Sequence, residues 1–178
     1  MNETVETLPI LLVPDPVLKA RAKPVTPEEM ERVRALIPRM FVTMYRAPGI
    51  GLAAPQVGVA LRCAVVDLMA DNVSKPIALI NPEVIARSDE LVTREEGCLS
   101  LPGQYAEVTR PARVMVRHLD LDGVRRQIEA EGLLSACLQH EIDHLDGVLF
   151  VDHLSALKRN MILRRLAKEL RQKRTEAM

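Results

Sequence analysis

Aromatic side chains are nearly absent from this chain of 178 residues, which holds two Phe, two Tyr and no Trp. A hydrophobic core must therefore come from aliphatic residues and the eight Met, which fill space by shape and not by ring stacking. An excess of one charge is missing too. Twenty-four basic and 24 acidic residues cancel, so overall charge points to neither nucleic acid nor a membrane surface as a partner. Cysteines are few and odd in number (Cys63, Cys98 and Cys137), which argues against a disulfide framework and for a reduced, cytoplasmic setting. No apolar run approaches the roughly 20 residues needed to span a bilayer. The acidic opening Met-Asn-Glu-Thr-Val-Glu lacks the basic region of a signal or transit peptide. The expectation is a soluble intracellular protein with no membrane partner.

What is present suits one globular domain over 1–178. The chain is 48% hydrophobic and 27% charged, an ordinary balance for a packed core at this length. Thr26-Pro27-Glu28-Glu29 predicts a helix start, with Thr26 as cap, Pro27 at the first helical position and Glu29 closing a capping box. Val33, Leu36, Ile37, Met40, Phe41 and Met44 follow at helical spacing, and Pro38 among them predicts a kink. Pro48-Gly49-Ile50-Gly51 ends that helix and opens a glycine-rich loop. Short β-branched runs then predict strands at Arg62–Leu68, Ile77–Ile80, Ala112–Leu119 and Arg126–Ala130, with Asp122-Gly123 as a hairpin turn between the last two. Helix returns from Leu133 to Leu145 with Gly147 at its C-terminal cap, and Ser155 caps a final helix.

Within the Leu133–Leu145 helix lies Gln139-His140-Glu141-Ile142-Asp143-His144. With about 3.6 residues per turn, histidines at i and i+4 share one face and can grip one metal ion. Glu141 points near that ion without ligating it, which suits a base acting on water. Leu133, Leu134, Ala136, Cys137 and Leu138 make the helix apolar on nearly all sides, so it is expected to be buried. The fold class is therefore α+β: antiparallel strands packed around a buried metal-bearing helix, with a C-terminal helix. A catalytic metal needs a third protein ligand and a position left open. Downstream, Asp146, Asp152 and His153 sit at no familiar spacing; upstream, Cys98 offers a thiolate suited to zinc or ferrous iron. Composition alone would make Cys98 a core residue.

Three separated motifs decide between these readings. Gly49-Ile50-Gly51-Leu52-Ala53-Ala54-Pro55-Gln56-Val57-Gly58, Glu96-Gly97-Cys98-Leu99-Ser100 and Gln139-His140-Glu141-Ile142-Asp143-His144-Leu145 occur in that order, with Leu79-Ile80-Asn81-Pro82 between the first two. In these segments the chain resembles the peptide deformylases over nearly its whole length. The resemblance implies a metal-dependent hydrolase that removes the formyl group from the N-terminal formylmethionine of newly synthesised polypeptides and releases formate. It implies Cys98, His140 and His144 as ligands of one divalent ion, Fe2+ in expectation, with Zn2+, Ni2+ and Co2+ as alternatives.

Glu141 is then the proton carrier, and the Gln56 side-chain amide and the Leu99 backbone N–H are the oxyanion donors. Ile50, Gly51, Gly97, Leu133, Ala136 and Cys137 are the substrate-binding residues, and Glu96 pairs with Arg110 to brace the loop carrying Cys98. Tyr105 and Arg94 depart from familiar members and are placed on the flanks of the peptide groove. Two other readings stay open at this point: an inactive or substrate-shifted relative, and a metallopeptidase, which would need neither Cys98 nor the Gln56 loop. Finally, Leu154, Leu157, Met161, Leu166 and Leu170 give the last helix an apolar stripe. Eight Lys or Arg against two Glu from Ser155 onward make it basic, a surface suited to the phosphate-rich ribosome.

Overall fold

The computed structural model describes residues 4–178; the first three positions of the acidic opening lie outside them. Helix α1 (Met30–Arg46) leads into seven strands. They are β1 (Gly51–Ala53), β2 (Cys63–Val66), β3 (Ile77–Arg87), β4 (Leu91–Cys98), β5 (Leu101–Pro111), β6 (Arg113–Leu119) and β7 (Arg125–Glu131). Helices α2 (Gly132–Leu145) and α3 (Ala156–Glu176) complete the chain. Five strands form one antiparallel sheet in the order β1-β2-β3-β6-β7, and β4 and β5 form a separate antiparallel hairpin. The architecture is α+β, as the sequence predicts. No helix among the described residues is long and apolar enough to cross a membrane.

The large sheet is apolar on both faces because helices cover both. All four residues of β2 are buried, and the two-residue period of a strand sends them alternately to two cores. Ala64 and Val66 join Leu138, Ile142 and Leu145 of α2. Cys63 and Val65 join Val33, Leu36, Ile37, Met40 and Met44 of α1. Each fully buried side chain of this kind contributes about 1.5–3 kcal/mol. A third core sets Ile162 and Leu166 of α3 against Leu101 and Val108 of β5, with Leu18, Leu149, Phe150 and Val151. Helix α3 thereby fastens the β4–β5 hairpin to the body.

Several elements differ from expectation. The capping box does not form: Pro27–Glu29 is a 3-10 turn in which Glu29 N donates to Thr26 O at 3.0 Å. The hydroxyl of Thr26 meets the Glu29 carboxylate at 3.4 Å instead of capping the backbone. Phe41 is only partly buried against the α1 core. On α3 the stripe is rotated. Leu157 and Met161 are exposed, while Ile162 and Leu166 are buried and Leu154, Leu163 and Leu170 pack beside them. The cap by Ser155 is present, its hydroxyl accepting from Lys158 N. Gly147 has φ +74° and backs so closely on the Lys19 backbone that a Cβ would not fit.

Asp67, wholly buried, ties the start of β1 to its surroundings. Its backbone N–H donates to Ile50 O at 2.9 Å. Its carboxylate accepts from Tyr45 Oη at 2.5 Å, Ser74 Oγ at 2.7 Å and the N–H groups of Met69 and Lys75 at 3.1 Å. Burial opposes ionisation, but these donors outweigh it and hold the carboxyl at about 2, below its ordinary 3.8. A folded value below the unfolded one gives stability that is complete above about pH 4 and is lost as pH falls towards 2. Urea denaturation should show this loss between pH 4 and 2, and Asp67→Asn should flatten that part of the profile. Asp67→Ala, which strands buried donors, should cost about 2–3 kcal/mol at pH 7. An acid limb unchanged in Asp67→Asn would contradict this assignment.

Candidate metal centre

The two histidines of α2 project one turn apart, with their Nε2 atoms 3.2 Å from each other. Cys98 comes from the far side, at the end of β4, where the register shifts so that Cys98 pairs with Leu101 across a tight turn. Its Sγ lies 3.4 Å from His144 Nε2, and the donor atoms of Cys98, His140 and His144 fall within 4.8 Å of one another. No other group of three such donors gathers among the described residues. The downstream acids and histidine are engaged elsewhere: Asp146 with Arg62 at 2.9 Å, Asp152 with Lys19 at 2.7 Å and His153 with Asp143 at 2.8 Å.

Hydrogen bonds behind the donors set their orientation. His140 Nδ1 donates to Glu96 Oε1 at 3.0 Å, which turns Nε2 towards Cys98 and His144. Arg110 grips the same carboxylate through Nε at 2.7 Å and Nη2 at 2.9 Å, and reaches Asp143 through Nη1 at 2.8 Å. The Glu96–Arg110 pair expected from sequence is thus present, and buried. Burial works against the Glu96 charge, yet the bonds from His140 and Arg110 prevail and hold it at about 2. Burial likewise works against a charged His140, but bonding to Cys98 and Glu96 pushes it up to about 10. Burial and the charge of His140 drive His144 well below the ordinary range.

Two imidazole nitrogens and a sulfur, packed this closely, are a donor set for a soft or borderline divalent cation. Two buried polar atoms beside them have no partner among the described residues: Glu141 Oε2 and His144 Nδ1. Burial raises Glu141 to about 7. Its carboxylate lies against Gly51, where a Cβ would come within 2.5 Å of Oε1. Three protein donors also fall short of the four that close a structural zinc site.

A cleft of about 730 Å³ opens over the centre. Ile50, Gly51, Gln56, Gly97, Cys98, Leu99, Leu133, Ala136, Cys137, His140 and Glu141 all line it. Gln56 sits on a 3-10 turn after β1 and is buried. Its Oε1 accepts from Ala53 N at 3.0 Å, and its Nε2 donates to Ser100 Oγ at 3.1 Å and lies 3.5 Å from Cys98 Sγ. Helix α2 is therefore not buried all round: Leu133 is 49% exposed, and Leu133, Ala136 and His140 form a face that opens on the cleft. Tyr105 stands on the cleft wall against Gly97, but Arg94 lines a separate shallow depression and not the groove. Sequence reasoning missed Ser100, Gln104 and the Arg110–Asp143–His153 contacts. Ser100 and Asp143 carried a sequence signal by lying inside the second and third motifs, whereas Gln104 carried none.

The family described as polypeptide deformylase matches this chain over residues 7–160. A peptide deformylase of Agrobacterium fabrum is 49% identical over 166 residues, covering 93% of this chain and 97% of that protein. Among solved structures, a peptide deformylase from Legionella pneumophila superposes with a TM-score of 0.87 at 48% identity, covering 94% of this chain and 97% of that one. The peptide deformylase of Ehrlichia chaffeensis in complex with actinonin gives 0.87 at 39% identity, over 92% and 98% of the two chains.

Metal retention is expected to need all three donors. Cys98→Ala should reduce bound zinc to a small fraction of the unmodified level, while Cys63→Ala and Cys137→Ala should keep it. Elemental analysis after gel filtration decides this, and full occupancy in Cys98→Ala would remove the cysteine from the centre.

Proposed function

The chain belongs to the polypeptide deformylase family, and we propose that Cys98, His140 and His144 hold the metal with which it works. The enzyme removes the formyl group from the N-terminal formylmethionine of newly synthesised polypeptides. One observation carries the assignment of residues: Cys98 Sγ and two imidazole Nε2 atoms converge, and Cys98, His140 and Glu141, whose Oε2 is unpartnered, line one cleft. Bound there, a divalent cation supplies Lewis acidity, making water acidic enough to deprotonate near neutral pH and drawing charge from the formyl oxygen. Fe2+ is the ion we assign, since a mixed thiolate and imidazole set suits it; Zn2+, Ni2+ and Co2+ fit the same donors.

Glu141 Oε2 takes the proton from the attacking water and passes it to the amine nitrogen as the C–N bond breaks. Its raised carboxyl suits a group that must both accept and release a proton. Gln56 Nε2 and the Leu99 backbone N–H stabilise the oxyanion, each donor being worth about 3–4 kcal/mol in a dry site. Gln56 is suited to this because its other amide atom is already fixed by Ala53 N. The methionine side chain enters between Ile50, Leu133, Ala136 and Cys137. The extended peptide pairs with the open edge of β1 at Ile50 and Gly51 and with the backbone at Gly97. A metallopeptidase reading gives no role to Cys98 or to the Gln56 turn. Release of formate from a formyl-Met peptide by anaerobically prepared protein tests the activity. Glu141→Ala should keep fold and metal yet lose about 10²–10⁴-fold in kcat; near-unmodified turnover would refute the role of Glu141.

We place the enzyme in the cytoplasm as one domain over 1–178, with α3 as a ribosome contact. Of its eight Lys and Arg, all but Arg159 are exposed. Contacts to phosphate weaken steeply with salt through counterion release. The intact chain should co-sediment with ribosomes at low salt, less so at moderate salt, and less again when it ends near Arg171. No binding at low salt would leave the basic helix as a solvated face.

A further inference from the structure

We propose that His153 is a positioning residue for the metal ligand His140, acting through Asp143, Arg110 and Glu96. The inference rests on the metal-centre reading and extends it to the protein surface. His153 Nε2 lies 2.8 Å from Asp143 Oδ2; the carboxylate accepts, so the imidazole donates. Asp143 Oδ2 accepts from Arg110 Nη1 at 2.8 Å, Arg110 donates twice to Glu96, and Glu96 Oε1 accepts from His140 Nδ1 at 3.0 Å. The chain of bonds is continuous from an exposed side chain to the back of a ligand ring. Arg110 and His153 are the only side-chain partners of Asp143 among the described residues.

The turn that carries His153 meets His140 a second time. Phe150, three residues earlier on the same 3-10 turn, stacks on the His140 ring with centroids 6.3 Å apart and planes at 20°. One short segment thus fixes the ring plane from its face and, through four polar groups, the hydrogen bond at its Nδ1. Without the His153 donor, Asp143 is free to turn towards solvent, its side chain being 26% exposed. Arg110 Nη1, which also lies 3.5 Å from His153 Nε2, then loses both of its contacts outside Glu96. A guanidinium held at three points keeps Glu96 square to the ring; one held only by Glu96 can swing with it.

The test uses the full-length protein, with zinc affinity from chelator competition and the absorption spectrum of the Co2+-substituted form. Loss of a direct partner of a ligand costs roughly 10–100-fold in affinity, so the more remote His153→Ala should cost about three- to tenfold and shift the cobalt bands. His153→Gln keeps an N–H at similar reach and should restore both readouts. Unchanged zinc affinity and spectrum in His153→Ala would overturn the proposal, as would Gln failing as badly as Ala. A lower melting temperature of metal-free His153→Ala with zinc affinity intact would also overturn it, since that is the mark of a purely structural contact. An unmodified chain that bound no zinc or cobalt would overturn the metal-centre reading and this proposal together.

Discussion

A buried guanidinium holds the two halves of this enzyme in register. Arg110 leaves β5 and finds two carboxylates, Glu96 on the neighbouring strand and Asp143 on α2. A charge so placed is costly to bury, and removing one partner of such a set typically costs about 3–5 kcal/mol. The cost of misplacing it is what makes it useful here. The hairpin and the helix bury few side chains between them, so apolar packing alone would tolerate many relative positions. The bidentate fork of Arg110 with Glu96, and its third bond to Asp143, accept only one.

That constraint matters because the candidate metal donors come from both sides of it. His140 and His144 need only helical spacing to face one point, whereas Cys98 reaches that point only if β4 is correctly docked. Three features fix the docking: Arg110 across the joint, the buried Gln56 side chain against Ser100, and the third core, where α3 covers the outside of β5. Gln104 adds a polar contact at the same place, donating to Glu169 of α3 at 2.8 Å. Helix α3 therefore has two faces with separate physical roles. Ile162 and Leu166 hold the hairpin that carries Cys98, and the basic residues face outward.

How much of this could be read from the residues alone follows from what each part depends on. The α1 and α2 helices and strands β2, β3 and β6 were legible because apolar periodicity, of 3.6 or 2, reports which faces are covered, whereas β1 reads as part of a glycine-rich loop. The β4–β5 hairpin, which carries the candidate ligand Cys98, was not. No residue of β4 is buried, and Thr93, Arg94, Glu95 and Glu96 give it no apolar face, so it is a strand by its ladder and not by its burial. The rotated stripe of α3 failed for a related reason: Leu157 and Met161 fit a helical period as well as Ile162 and Leu166 do, and only the position of β5 chooses between them. At the site, the motif residues and the Glu96–Arg110 brace were legible, and the supports beyond Arg110 were not. Asp143 and His153 are ordinary polar residues until the fold brings Arg110 to them.

Glu141 shows most clearly where stability and function part. A carboxylate with one oxygen unpartnered, buried against the Gly51 backbone and raised to about 7, is a poor choice for holding a fold together. Glutamine or an apolar residue would rest there at lower cost. Its neighbours make the position usable without neutralising it. Gly51 leaves the space that any Cβ would fill, and Glu96 has already claimed the Arg110 charge that could have paired with it. Arg110 thus does two things at once: it locks the joint on which the candidate ligands depend, and by being fully engaged it leaves Glu141 Oε2 unpartnered and buried near the candidate metal donors.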